Sequence, residues 1–175
     1  MKKTALILLP VLLFLHSCTK NDVIPTSGTV TIDNTLGFDQ TNQAYFAFGF
    51  LFSKAELVST LDNPPPDITV DSDGTNLFLQ TNNLKNSYCL NGNYDDEASA
   101  KEAFYKLTTV NVTQWLGLAS PLKENQIWIY RSGKECYAKI RIIDIVSEER
   151  GNRDYAECTF EWVYQPDGSL TFPGK

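Results

Sequence analysis

The sequence predicts a mainly β protein, an antiparallel β-sandwich or open barrel carrying one docked α-helix. Three observations predict it. Apolar and polar residues alternate with period 2 along several segments, most clearly across 126–164. Turn residues such as Gly133-Lys134 and Pro166-Asp167-Gly168 separate these segments. Only 95–107 (DDEASAKEAFYKL) has both the composition and the spacing of a helix.

The chain starts with Lys2 and Lys3, followed by an uncharged apolar run over 5–15. Eleven residues span about 16 Å as helix, short of a bilayer core of roughly 30 Å. A positive end before a short apolar run is the pattern of a secretory signal. Leu15-His16-Ser17-Cys18 then resembles a bacterial lipobox, with Cys18 receiving the lipid. The expected organisation is a signal peptide over 1–17, the lipidated Cys18 and a flexible tether over 18–28, and a single β-rich domain over 29–175. The lipid would be the membrane attachment, which places the protein in the cell envelope. Its surface or periplasmic side stays open.

Composition narrows the chemistry. The chain has 15 Lys+Arg, 21 Asp+Glu, one His and one Met. The histidine is His16 and the methionine is Met1, both in the leader. Cleavage before Cys18 leaves 175 less 17, or 158 residues, with neither type. The formal charge moves from −6 to −8 as Lys2 and Lys3 leave. A mature chain without His has no Ser-His-Asp or Cys-His nucleophile and no histidine-based zinc site. Its acidity, with no basic block, argues against nucleic acid. No enzyme activity, metal or cofactor is expected. With Cys18 lipidated, Cys89, Cys136 and Cys158 remain. In an oxidising compartment that count suggests one disulfide and one free thiol, of undetermined pairing.

Taken in order, 29–33 reads as a short strand. Residues 45–52 (YFAFGFLF) place Phe46, Phe48, Phe50 and Phe52 on one face, expected to be a core face. The proline run 64–66 breaks the chain before strands at 67–71 and 75–80, joined by a turn at Asp71-Ser72-Asp73-Gly74. A further strand is expected at 87–90. In the helix, Ala100, Ala103, Phe104 and Leu107 form the docking stripe. Its start is ambiguous, because Ser99 and Glu102 offer a second capping box. The connection 108–125 is apolar for a loop and is expected to hug the core or rim a pocket.

The strands 126–132 and 135–146 form a hairpin about Gly133-Lys134. Cys136, Ala138, Ile140 and Ile142 share one face, with Tyr137, Lys139 and Arg141 on the other. In 155–164, Cys158, Phe160, Trp162 and Tyr164 share a face, with Glu157, Thr159 and Glu161 opposite. Lys and Arg on one strand and Glu on its neighbour suit cross-strand pairs on a solvated face. Residues 147–154 read as a charged surface loop, and 169–172 as a short returning strand.

Several groups could carry chemistry, and each has a plainer explanation. Asp71, Asp73 and Asn76 have the oxygens of a calcium loop, but a turn needs the same residues. Glu157 and Glu161 stand about 13 Å apart along a strand, beyond the reach of a glycosidase pair. Asp95, Asp96 and Glu97 suit a helix N-terminus. Asn111-Val112-Thr113 matches a glycosylation sequon by chance.

The C-terminal third, YAKIRI at 137–142 and TFEWVYQPDGS at 159–169, resembles the HmuY-like lipoproteins of Bacteroidetes, with Gly133 and Lys134 preceding Tyr137 as in that family. Asp67-Ile68 and Thr81-Asn82 echo two further family elements, with Pro66 where the family has Trp. The resemblance implies a β-rich, lipid-anchored haem-binding protein of the outer membrane. The family holds haem with His or Met pairs, which the mature chain lacks. Tyr88, Tyr94 and Tyr105 are tyrosines that could ligate iron, but none matches a family position, so no cofactor-binding residue is assigned. The function expected is a non-enzymatic binding module for a small apolar ligand, tetrapyrrole-like among the candidates. The alternative is a structural or adhesion lipoprotein with a surface protein partner and no small ligand.

Overall fold

The computed structural model describes residues 23–83, 85–151 and 153–174. The expected signal peptide and the lipid site Cys18 lie outside the described residues. Among the described residues no helix is long and apolar enough to cross a membrane.

Twelve elements follow one another: β1 (Ser27–Asp33), β2 (Gly37–Asp39), β3 (Ala44–Phe46), β4 (Phe48–Leu51), β5 (Glu56–Ser59), β6 (Ile68–Ser72), β7 (Leu77–Thr81), β8 (Tyr88–Asn93), α1 (Glu97–Lys106), β9 (Gln126–Arg131), β10 (Tyr137–Arg150) and β11 (Arg153–Gln165). They form a five-stranded sheet ordered β1-β11-β10-β9-β8, a four-stranded sheet ordered β5-β4-β6-β7, and a small β2-β3 hairpin. Every pairing is antiparallel. The fold is therefore the sandwich rather than the barrel: the sheets face each other and do not close.

Period-2 alternation on β9, β10 and β11 builds two cores from one sheet. Trp128, Ile140, Ile142, Phe160 and Trp162 turn toward the second sheet and meet Phe50, Phe52, Ile68 and Leu79. Ile127, Ile129 and Val163 turn the other way and meet Phe104 of α1 and Phe172. The result is three layers, sheet on sheet on helix. A bulge falls between Ile142 and Asp144 of β10. Without it, strict alternation would place Asp144 in the inter-sheet core. The extra residue instead lets Ile145 pack inward beside Cys158.

The helix starts at Glu97, with Asp96 as N-cap; Ser99 N–H and the Ser99 hydroxyl both donate to the Asp96 carboxylate. This settles the ambiguity about its start. Ala100 and Phe104 are fully buried and Ala103 and Leu107 pack beside them, as the stripe predicts. Burying the Phe104 ring alone contributes about 1.5–3 kcal/mol.

The connection 108–125 hugs the core in a specific way. Leu116 exchanges both backbone bonds with Tyr88 of β8, and Ala119 does the same with Leu79 of β7. It thus covers one edge of each sheet and laces that side of the sandwich.

Several expectations need correction. The 45–52 run is broken at Ala47 into β3 and β4; Phe50 and Phe52 are buried, but Phe48 is half-exposed and Phe46 only partly covered. The Phe46 ring packs over Gly37 and edge-on against Phe48 rather than in the inter-sheet core, because β3 pairs with β2 outside the main sheets. The 147–154 loop is mostly ladder, with β10 and β11 paired out to Arg150 and Arg153. The tether ends sooner than expected, since Ser27 and Gly28 already pair with Val163 and Trp162. Cys89, Cys136 and Cys158 are all free thiols, against the expected disulfide. Cys158 lies opposite Ile145, nine residues along β10 from Cys136, or about 30 Å at 3.3 Å per residue. Cys89 packs on the helix side of the sheet. A disulfide needs Cα atoms within about 7 Å.

Candidate functional site

One end of the sandwich carries a cavity of about 260 Å³. Its apolar wall is the proline run 64–66 with Leu51 and the ring of Tyr164. Consecutive prolines hold the backbone extended and offer no N–H, so this segment pairs with neither sheet. Asn82, just past β7, fixes it by donating from Nδ2 to the Pro66 carbonyl at 2.9 Å. Across the cavity lies the β9–β10 hairpin. Ser132 and Cys136 pair through their backbones, leaving Gly133, Lys134 and Glu135 as its tip, with Glu135 at φ 61°.

Asp67 lines the same cavity at the mouth of β6. Its Oδ2 accepts from the Phe52 backbone N–H at 2.9 Å, and its Oδ1 accepts from the Tyr130 hydroxyl at 3.2 Å. Burial raises the Asp67 pKa above the usual carboxylate range; the two donors and the Lys134 ammonium pull the other way. Burial, with the neighbouring Asp67 charge, pushes the Tyr130 phenol far up. The Tyr130 and Tyr164 rings stack on either side of Phe52, at centroid distances of 5.4 and 5.8 Å. This core ring locks both tyrosines in place. Lys134 is exposed at the hairpin tip, and no ion pair engages it among the described residues.

A second cavity, of about 370 Å³, opens at the far end of β1. Leu36, Phe46, Phe48 and Leu57 line it, with Asp33 contributing a carboxylate. It is larger, but its polar side chains, Thr31, Asp33 and Thr35, all come from one stretch of chain at the end of β1. Small-molecule sites combine an apolar wall with a few convergent polar groups, and the first cavity has that combination.

The groups singled out in the sequence fall elsewhere. Tyr88 is buried with its hydroxyl unpartnered, Tyr94 packs on the helix-side core, and the Tyr105 hydroxyl donates to Glu161. None of the three lines either cavity. Neither α1 nor the 108–125 connection lines them. Asp73 accepts from the Thr75 and Asn76 N–H groups and Asp71 from Asn34, as turn and core-edge ties. Glu161 is not on a solvated face: α1 covers it, and it holds Arg141 at 3.0 Å with side-chain exposures of 12% and 4%. The missed residues are Tyr130, Tyr164 and the prolines, readable only as strand core and chain breaker. Asp67, Thr81, Asn82, Gly133 and Lys134, singled out in the sequence for other reasons, border this cavity, whereas Ile68 and the 137–142 run do not.

The fold and site define an antiparallel β-sandwich with a loop-built pocket at one end. No protein-family model matches the chain, and a search of curated proteins finds none that matches it.

Proposed function

We propose that this chain is a cell-envelope lipoprotein, anchored through Cys18, that acts as a non-enzymatic binding module for a small, largely apolar ligand. The carrying observation is the cavity between the 64–66 proline wall and the Lys134 hairpin, where an apolar surface meets Asp67, Asn82 and Lys134. The Asp67 carboxylate is held by Phe52 and Tyr130, which suits recognition better than turnover. The resemblance to HmuY-like lipoproteins supports the reading, because Asp67, Thr81, Asn82, Gly133 and Lys134, five of the residues that carry it, border one site. At about 260 Å³ the cavity sits just under the roughly 300–1,000 Å³ usual for small-molecule pockets. A tetrapyrrole would insert one edge here, without His or Met on its iron.

The test is a thermal-shift and calorimetric screen of the purified protein against small ring compounds, with haemin followed by its visible spectrum. A ligand at 100 times its Kd should stabilise the fold by about 2.7 kcal/mol. No stabilisation by any ring compound, and no haemin spectral change, would remove the reading. Labelling with radioactive palmitate, abolished by Cys18→Ala, tests the anchor, and protease treatment of intact cells assigns the side of the membrane.

The alternative of an adhesion or interaction lipoprotein draws on the second cavity. Leu36, Phe48 and Leu57, each 46–50% exposed, line it, and Phe38 and Tyr45, 46% and 70% exposed, stand on the adjoining β2–β3 hairpin; exposed apolar groups near one another suit a protein partner. Cross-linking in intact cells that depends on Phe38 and Tyr45 would favour this reading.

A further inference from the structure

The first cavity holds two opposite charges that do not meet. Asp67 and Lys134 both line it, yet they form no ion pair with each other or with any other described side chain. Asp67 is half-buried and receives only neutral donors, one on each oxygen, so each oxygen keeps a free acceptor direction. A half-buried carboxylate answered only by neutral donors favours a cation placed beside it. The Lys134 ammonium has three donors, and among the described residues no carboxylate pairs with it. Its glycine neighbour and the Ser132–Cys136 backbone pair hold the hairpin tip at the cavity mouth. Pro64, Pro66, Leu51 and Tyr164 line the same cavity and give it an apolar wall.

We infer that this cavity takes a small zwitterion with an apolar, ring-bearing side chain, of the aromatic amino-acid class. The ligand's ammonium lies on Asp67, its carboxylate on Lys134, and its ring against the proline wall and Tyr164. The inference rests on the binding reading above and names the ligand class of that same site. A ligand with one charge would leave the other protein group unanswered, and that is the source of selectivity. The ligand's size follows from the volume: about 260 Å³ admits one ring and its polar head.

Calorimetry on the purified protein decides it with four probes of one shape: L-phenylalanine, 3-phenylpropionate, 2-phenylethylamine and the uncharged 3-phenylpropanol. L-phenylalanine should bind roughly 10- to 100-fold more tightly than any of the other three. Lys134→Ala should bring it down to the level of 2-phenylethylamine, and Asp67→Asn to that of 3-phenylpropionate. Asp67 also ties Phe52 and Tyr130, so Asp67→Asn can cost the fold. Lys134→Glu, at an exposed turn, then decides alone by making 2-phenylethylamine the preferred probe. If all four probes bind equally, the zwitterion inference is overturned while the apolar-ligand reading stands. If none binds and haemin also fails, both are overturned.

Discussion

Glu161→Ala separates two very different views of one cross-strand pair. On an exposed sheet face the Arg141–Glu161 pair would contribute about 0.2–1 kcal/mol. The structure instead places it under α1. Arg141 Nε and Nη2 both donate to Glu161 Oε2, at 3.2 and 3.0 Å, and the Tyr105 hydroxyl donates to Oε1 at 2.9 Å. Arg141 Nη1 is already without a hydrogen-bond partner, 4.0 Å from Glu97. Removing Glu161 leaves a buried guanidinium with only the exposed Glu97, 4.0 Å away, to compensate it, which costs about 3–5 kcal/mol. For a domain of this size that lowers Tm by roughly 6–20 °C. The Arg141→Met/Glu161→Met double variant removes both charges and should recover most of the loss. The assay is urea unfolding followed by fluorescence of the buried Trp128 and Trp162, with far-UV circular dichroism as a second probe. A Glu161→Ala loss under about 1 kcal/mol, or a double variant no better than the single, would refute the argument.

Three further outcomes can be checked. Gly49→Ala would bring a Cβ to 2.4 Å from the Ile68 carbonyl oxygen and 2.7 Å from Pro66 Cβ; β4 and β6 must separate, so a loss of about 1–3 kcal/mol and weaker ligand binding are expected from denaturation and calorimetry. Unfolding without reductant should expose three alkylatable thiols at Cys89, Cys136 and Cys158, while in the native state buried Cys158, its pKa pushed far up by burial, stays unmodified; mass spectrometry counts them, and a missing thiol would mean a disulfide. The Tyr155 phenol, hydrogen-bonded to Glu157, is pushed up to about 12, so its contribution to stability is present below pH 10 and is lost as pH rises through 12; ultraviolet titration should show the midpoint falling toward 10 in Glu157→Gln.

The sheet strands and the helix were legible because each is specified by a local period. The inward faces of β10 and β11 follow from counting by two, and Ala100 and Phe104 follow from counting by three and four. What covers a face is a different matter. Lys139 and Arg141 alternate outward as any solvated residues would, but α1 folds back over them and buries both. Phe46 and Phe48 alternate in step with Phe50, but they line the open second cavity and stay partly exposed. The bulge at 142–144 is equally silent in the pattern, visible only as an aspartate that must not enter the core. The cavity drew on segments from residue 51 to residue 164, each legible for its backbone role and none for its neighbours.

The pairing of the first strand with the last governs the order of assembly. Hairpins such as β9–β10 and β10–β11 close over a few residues and can form within microseconds. Among the described residues β1 finds its only sheet partner in β11, with Ser27 opposite Val163, nearly the whole domain away in sequence. Its inward Val30 and Ile32 therefore wait through synthesis for a strand made almost at the end. Such distant closure slows folding and leaves a growing chain adhesive until its last strand arrives. A chain stopped short of β11 would leave β1 with no sheet to join.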